Sequence, residues 1–310
     1  MTSAKLTIRM TYSEKCVKFF LLLLTCITSV CYARIENHAI SWITLDFPPY
    51  YIYADRDEGE GRDEQVISLL HTQLNKLDYY HHSFPASRAI HELSHSRSGY
   101  CMVSLYKTAS RQKYITYTKH HSTVGLSPGL ALRKETIQKL ELDVRQPVSL
   151  VNLMLKHDLT LGIAQSRSYG EKLDKLIERL PREQVVIRPG WDTLQSLTNM
   201  LVKKRVDLVL GYPSEHYYLS KRLGADNLTQ IALIGVPLIA KGYIGCTNND
   251  LGKKAVALFD QTLVNLVKTE EYKRIMLKWL PAHLKSKLNR HLINETAQLN
   301  NEVHIGEDRN

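Results

Sequence analysis

Residues 100–118, YCMVSLYKTASRQKYITYT, indicate how the chain folds and where it presents polar side chains. An apolar run at residues 101–103 leads into a hydroxyl-rich segment and then to Arg111. This pattern is typical of a buried strand that ends in a loop, and ligands bind at that edge of open α/β sheets. A guanidinium can hold a carboxylate through two parallel hydrogen bonds. Arg111 is therefore a candidate anion-binding residue, with an ordinary solvated arginine on a surface turn as the alternative.

The same stretch resembles a strand and loop of the bacterial extracellular solute-binding proteins of family 3, the polar amino-acid type of periplasmic binding protein. A T-x-x-R element stands at residues 108–111, and an aromatic segment follows at residues 117–119. The resemblance implies a type II periplasmic-binding-protein-like α/β fold, with two lobes joined by two crossover segments. It also implies that Arg111 takes a ligand carboxylate, with Ser104 and Tyr106 as additional donors.

A second loop is predicted at the same sheet edge. A strand-like alternation at residues 39–45 is stopped by Pro48 and Pro49, which leaves aromatic side chains beyond its end. The resemblance implies that Phe47 stacks on the ligand, and we expect Tyr50 to add to that surface. Packing of both rings within the loop is the alternative.

Strand and helix patterns alternate along the chain, which favours mainly parallel sheets. We assign residues 34–128 and 236–283 to lobe 1 and residues 129–235 to lobe 2. The polar residues 284–310 are expected to form a loosely packed C-terminal tail.

In lobe 2, a strand at residues 159–164 meets a serine-rich turn ahead of a helix. Such a turn favours anions because unpaired amides and the helix dipole converge there, although a serine there could simply cap the helix. The resemblance implies ligand contacts from Ser166, Arg167 and Ser168. Members of that family place an Asp for the ligand's ammonium where this chain has Tyr212, and Glu215 lies nearby but out of register.

The N-terminal residues 1–33 have the layout of a cleaved secretory signal peptide, which predicts a periplasmic protein. Three of the five cysteines lie in that segment, and Cys101 and Cys246 remain. The implied fold sets the strand that returns from lobe 2 antiparallel to the strand near Cys101, so we expect these two cysteines to pair.

The formal net charge of +10 is spread along 310 residues without a nucleic-acid-binding motif. We therefore expect a small anionic or amino-acid-like solute as ligand, and no nucleic acid. The resemblance implies an inner-membrane ABC permease or a sensor protein as partner. We expect a monomer that needs no cofactor.

An H-E-x-x-H motif at residues 91–95 offers a competing function. On a helix it would direct His91 and His95 to one zinc ion, with Glu92 as general base of a peptidase. A third ligand is not evident, although Glu135, His120 or His121 could be proposed. A second alternative is a cyclohexadienyl-dehydratase-like enzyme with Glu215 as acid or base. We expect neither activity and assign no catalytic residue.

Overall fold

The computed structural model describes residues 40–54, 56–74 and 78–307, with side chains as far as residue 297. The predicted signal peptide lies outside the described residues. The described strands form two five-stranded sheets, in the orders β2-β1-β3-β10-β4 and β7-β6-β8-β5-β9. The strands are β1 (Ile40–Thr44), β2 (Tyr79–Ser83), β3 (Tyr100–Leu105), β4 (Ile115–Leu126), β5 (Gly129–Arg133), β6 (Leu161–Ala164), β7 (Val185–Arg188), β8 (Leu208–Gly211), β9 (Leu228–Ile231) and β10 (Ile239–Thr247).

Helices connect these strands and cover the sheets. Several begin with polar side chains that accept backbone N–H groups near the helix start. Glu64, for example, accepts hydrogen bonds from the Gly61 amide at the start of its helix and from the Ile52 amide, both at 3.0 Å. The helices are α1 (Arg62–Gln73), α2 (Ala86–His95), α3 (Lys134–Lys139), α4 (Leu150–His157), α5 (Glu171–Ile177), α6 (Thr193–Val202), α7 (Pro213–Arg222), α8 (Asp250–Leu266), α9 (Glu270–Leu277) and α10 (Ala282–Glu307).

Two segments cross between the sheets. Strand β4 of the first sheet leads through a two-residue turn into β5 of the second, and the chain returns from β9 to β10. In the first sheet β1 pairs in parallel with β2 and β3, whereas β10 runs antiparallel to β3 and β4. The predicted fold of two α/β lobes joined by two crossovers is therefore confirmed.

A disulfide joins Cys101 to Cys246, as expected. The two residues face each other in the antiparallel register of β3 and β10. The bond fixes the returning strand to the strand that carries the hydroxyl-rich loop.

The C-terminal segment differs from the expected loose tail. Residues 282–307 form α10, in which Leu288 and Leu292 are buried. The side chain of Glu295 pairs with Lys241 on β10. Leucines at every fourth position, from Leu284 to Leu292, give the helix an apolar side that its polar composition conceals. Within the described residues, no helix combines the length and apolarity needed to cross a bilayer.

Candidate ligand-binding site

A cavity lies between the two lobes, at the ends of β1 and β3 in one lobe and of β6 and β8 in the other. Its unfilled space is about 1130 Å³, counting the part that opens to solvent. All nine predicted ligand contacts line it: Phe47, Tyr50, Ser104, Tyr106, Arg111, Ser166, Arg167, Ser168 and Tyr212. The structure thus brings these residues together, and their contact with a ligand stays a prediction.

Arg111 lies at the start of a single helical turn that follows the hydroxyl-rich loop. Its backbone N–H donates to the Thr108 hydroxyl at 3.3 Å, which fixes the turn. Its guanidinium reaches across to the other lobe and donates to the backbone carbonyl of Ser166 at 3.4 Å. Ser166 presents this carbonyl from a left-handed conformation, with φ of 58°. Within the described residues no carboxylate pairs with Arg111, so most of its donors remain available to an anion.

Arg167 also lines the cavity, but its charge is matched within the protein. Its Nη1 donates to Glu215 Oε2 at 3.0 Å, and its Nη2 donates to Oε1. Glu215 Oε2 also accepts the backbone N–H of Tyr212 at 3.0 Å, at the start of α7. Burial alone would lower the pKa of Arg167, but Glu215 together with Tyr169 and Tyr212 more than offsets this and the pKa is raised. The guanidinium therefore stays charged and paired.

Aromatic rings surround the Arg167 guanidinium. Its Cζ lies 4.9 Å from the ring centre of Phe47 in lobe 1 and 5.0 Å from that of Tyr212 in lobe 2. The hydroxyls of Tyr106 and Tyr212 interact across the cleft, and burial raises the pKa of both. These rings give the cavity an apolar wall around a buried cation.

Arg62 is a second buried arginine at the cavity. Its side chain is 13% exposed, and Nε donates to Asp63 at 2.8 Å while Nη2 donates to the Ser104 hydroxyl at 2.9 Å. The guanidinium also lies 4.2 Å from the ring centre of Tyr50. The Tyr50 hydroxyl in turn contacts the Ser214 hydroxyl of the other lobe at 3.1 Å. Together with the Arg111 contact, this bond joins the two lobes across the cleft.

Comparison with known proteins agrees with this architecture at the level of the fold. No protein-family model matches the chain, and no curated protein matches it in sequence. A histidine kinase sensor domain with similarity to periplasmic binding proteins superposes with a TM-score of 0.62 at 16% identity, over 78% of this chain and 95% of that chain. The arginine-, lysine-, histidine-binding protein ArtJ from Geobacillus stearothermophilus gives a TM-score of 0.58 at 16% identity, over 80% of this chain and 99% of that chain. An arginine-binding protein, ArgBP from T. maritima, in a P235GK mutant form, gives a TM-score of 0.58 at 16% identity, over 78% of this chain and 94% of that chain.

The chain has the periplasmic-binding-protein fold. This confirms the fold that the resemblance to solute-binding family 3 implies. In that fold the cavity described above occupies the cleft between the lobes, with side chains from both lobes in its wall.

Several residues of this cleft were missed or misjudged from the sequence. Arg62 stands in a charge-dense run at residues 56–64 that is typical of a solvated loop, so nothing local indicates its burial. Ser168 was a candidate helix cap, yet its hydroxyl donates to Asp174 and accepts from the Gly170 amide at 3.2 Å. Glu215, considered as an acid or base, is 2% exposed and fully engaged with Arg167.

The H-E-x-x-H motif lies on α2 at the surface of lobe 1. The rings of His91 and His95 are stacked with centres 4.7 Å apart, and Glu92 lies 3.4 Å from Arg88. Of the proposed third ligands, Glu135 pairs with Arg133 and Lys204 in the other lobe. In the part of the chain that the structure describes, no group of three His, Cys, Asp or Glu side chains could hold a metal ion.

Proposed function

We propose that this protein is a periplasmic solute-binding protein that closes on a small carboxylate-bearing ligand, either amino-acid-like or otherwise anionic. The observation that carries the proposal is Arg111, a cavity-lining cation with no carboxylate partner among the described residues. Because its guanidinium contacts the opposite lobe and both lobes line the cavity, a ligand bound to it would lie between the lobes and favour the closed cleft. Ser104, Tyr106, Phe47 and Tyr50 would supply donors and stacking surface from lobe 1.

The partner we propose is an inner-membrane ABC permease, to which the closed protein delivers its ligand. Similarity of fold to the substrate binding protein of an amino acid ABC transporter supports this class of partner, with a TM-score of 0.57 at 13% identity over 78% of this chain and 98% of that chain. A sensor protein is the second candidate, favoured by the fold similarity to a histidine kinase sensor domain. The secretory pattern of residues 1–33 supports a periplasmic location for either role.

Thermal unfolding with a panel of compounds tests the proposal. The panel contains amino acids, monocarboxylates, dicarboxylates, small peptides and zinc with or without a chelator. A ligand at about one hundred times its dissociation constant stabilises the folded state by about 2.7 kcal/mol, which raises the Tm by several degrees. We expect a shift with one class of carboxylate. A shift with zinc alone, abolished by the chelator, would contradict the proposal and favour the H-E-x-x-H motif.

A further inference from the structure

The charges around the cavity do not balance. In the described part of the chain, four cationic side chains line it: Arg62, Arg111, Arg167 and Lys241. Three of the four have carboxylate partners, namely Asp63, Glu215 and Glu295 for Arg62, Arg167 and Lys241. Within the described residues, the charge of Arg111 alone has no such partner. The cavity wall therefore carries one positive charge that a single ligand carboxylate would neutralise.

Among the residues that the structure describes, no carboxylate near the cavity is available to receive a ligand ammonium group. Both oxygens of Glu215 accept from Arg167, and its side chain is 2% exposed. Asp63 accepts from Arg62 and is 3% exposed. Asp174 lies outside the cavity lining, where it accepts from the Ser168 hydroxyl and from the Tyr169 amide at 2.8 Å. An ammonium placed in this cavity would lose its water without gaining an anionic partner.

Three aromatic rings of the cavity wall are poorly suited to replace that partner. Aromatic rings attract cations, but arginines of the protein already lie over these three rings. The guanidinium of Arg167 lies over Phe47 and Tyr212, and that of Arg62 lies over Tyr50. An ammonium beside these rings would also stand close to a guanidinium and be repelled by it. The rings are suited instead to an uncharged, apolar part of a ligand.

We infer that the cavity selects monocarboxylates that lack an ammonium group over the corresponding α-amino acids. The ligand class consists of 2-hydroxy or unsubstituted carboxylic acids with an apolar body. Its carboxylate would bind Arg111 and its body would lie against the aromatic wall. This inference rests on the proposed solute-binding function, and adds the charge pattern that the ligand must have.

Isothermal titration of the purified protein with ligands matched at every position except the α-carbon tests the inference. One series is L-phenylalanine, L-3-phenyllactate and 3-phenylpropanoate, and the other is L-leucine, L-2-hydroxy-4-methylpentanoate and 4-methylpentanoate. In at least one series, we expect both acids without the ammonium group to bind at least tenfold more tightly than the amino acid. Equal or tighter binding of the amino acids would overturn the inference and leave the proposed function intact. If no member of either series binds and no carboxylate of the wider panel shifts the Tm, both this inference and the proposed function would be overturned.

A substitution at Arg167 tests the same inference from the side of the protein. In R167M the carboxylate of Glu215 loses its partner and becomes available to an ammonium, while Arg111 still holds the carboxylate. We expect the affinity for the amino acid, relative to that for its hydroxy analogue, to rise at least tenfold over the native ratio. In the matched control R167K a cation remains beside Glu215, so we expect the native preference to stay. If a folded R167M protein keeps the native ratio of amino-acid affinity to hydroxy-acid affinity, the inference is contradicted. If R167M does not fold, the titrations of the native protein test the inference without it.

Discussion

Glu215 joins three parts of lobe 2 through one carboxylate. It neutralises the charge of Arg167. It also accepts a hydrogen bond from the backbone N–H of Tyr212, the residue that precedes α7. In E215Q the guanidinium of Arg167 stays buried without its counter-charge, and losing one partner of a buried ion pair costs about 3–5 kcal/mol. We predict that E215Q lowers the free energy of unfolding by about 3 kcal/mol or more, measured by urea denaturation.

The double variant R167M/E215Q separates the ion pair from the rest of the site. It removes both charges, so we expect it to recover part of the stability that E215Q loses. If the two substitutions lower the free energy of unfolding additively in the double variant, the two residues act independently. That result would contradict the coupling of Arg167 and Glu215.

The sequence does not indicate which arginines of the cleft are paired with a carboxylate. Arg111 and Arg167 look equivalent in the sequence, since each follows a strand in a serine-containing loop. They differ because Glu215, 48 positions away along the chain, pairs with Arg167, while no described carboxylate reaches Arg111. Arg62 likewise depends on Ser104, 42 positions away. Position at the sheet edge was predictable, but the pairing of charges depends on tertiary contacts.

At the scale of elements, α10 packs on lobe 1, although the polar composition of this segment does not indicate it. Leu288 is 0% exposed and Ile293, on the same helix, is 50% exposed. Removing a fully buried leucine side chain costs about 2–5 kcal/mol, whereas exposed positions change stability by about 0.5 kcal/mol or less. We predict that L288A lowers the free energy of unfolding by at least about 2 kcal/mol and that the control I293A leaves it nearly unchanged. Equal effects of the two substitutions would indicate that the helix does not pack on lobe 1.

The docked helix also creates a pH-sensitive contact. His121 on β4 is buried, with Nε2 3.5 Å from Glu295 of α10. Burial lowers the pKa of His121 to about 4, helped by Lys241 and opposed by Glu295. The unfolded chain binds a proton at this position near its usual pKa of about 6.5, so the unfolded state gains protons first as the pH falls. Stability from this group is therefore complete above about pH 6.5 and is lost as the pH drops toward 4.

Urea denaturation at a series of pH values checks this effect. We predict that the native protein loses up to about 3 kcal/mol more than H121N between pH 7 and pH 4. Parallel pH profiles for the two proteins would contradict a buried neutral histidine at this position.

Regular elements were more predictable than the helix that closes the chain. The apolar run near Cys101 predicted a strand, and β3 contains it. The crossovers that lead into β5 and β10 were also predictable, because the extended segments there have clear periodicity and Gly or Pro at their boundaries. The leucine repeat of α10 was present as well, but its polar surroundings favoured a solvated tail, and only contact with lobe 1 makes that repeat stable.

At the scale of the whole molecule, the cleft depends on contacts that cross between lobes. Arg111 reaches Ser166, and Tyr50 reaches Ser214. The disulfide between Cys101 and Cys246 fixes the second crossover strand within lobe 1, so relative movement of the lobes is expected at the residues just before β10. A ligand held by Arg111 would add to the contacts that favour the closed arrangement.

The most direct measurement is therefore the affinity of R111Q, by isothermal titration, for the carboxylate that stabilises the native protein most. A hydrogen-bonded charge of this kind contributes about 1.5–3 kcal/mol, so we predict an affinity loss of about tenfold to one hundredfold. The control R145Q changes an arginine whose side chain is 84% exposed and which pairs with Asp143 away from the cavity, and its affinity should equal the native value. Native affinity in a folded R111Q protein would contradict the claim that the cleft binds a carboxylate through Arg111.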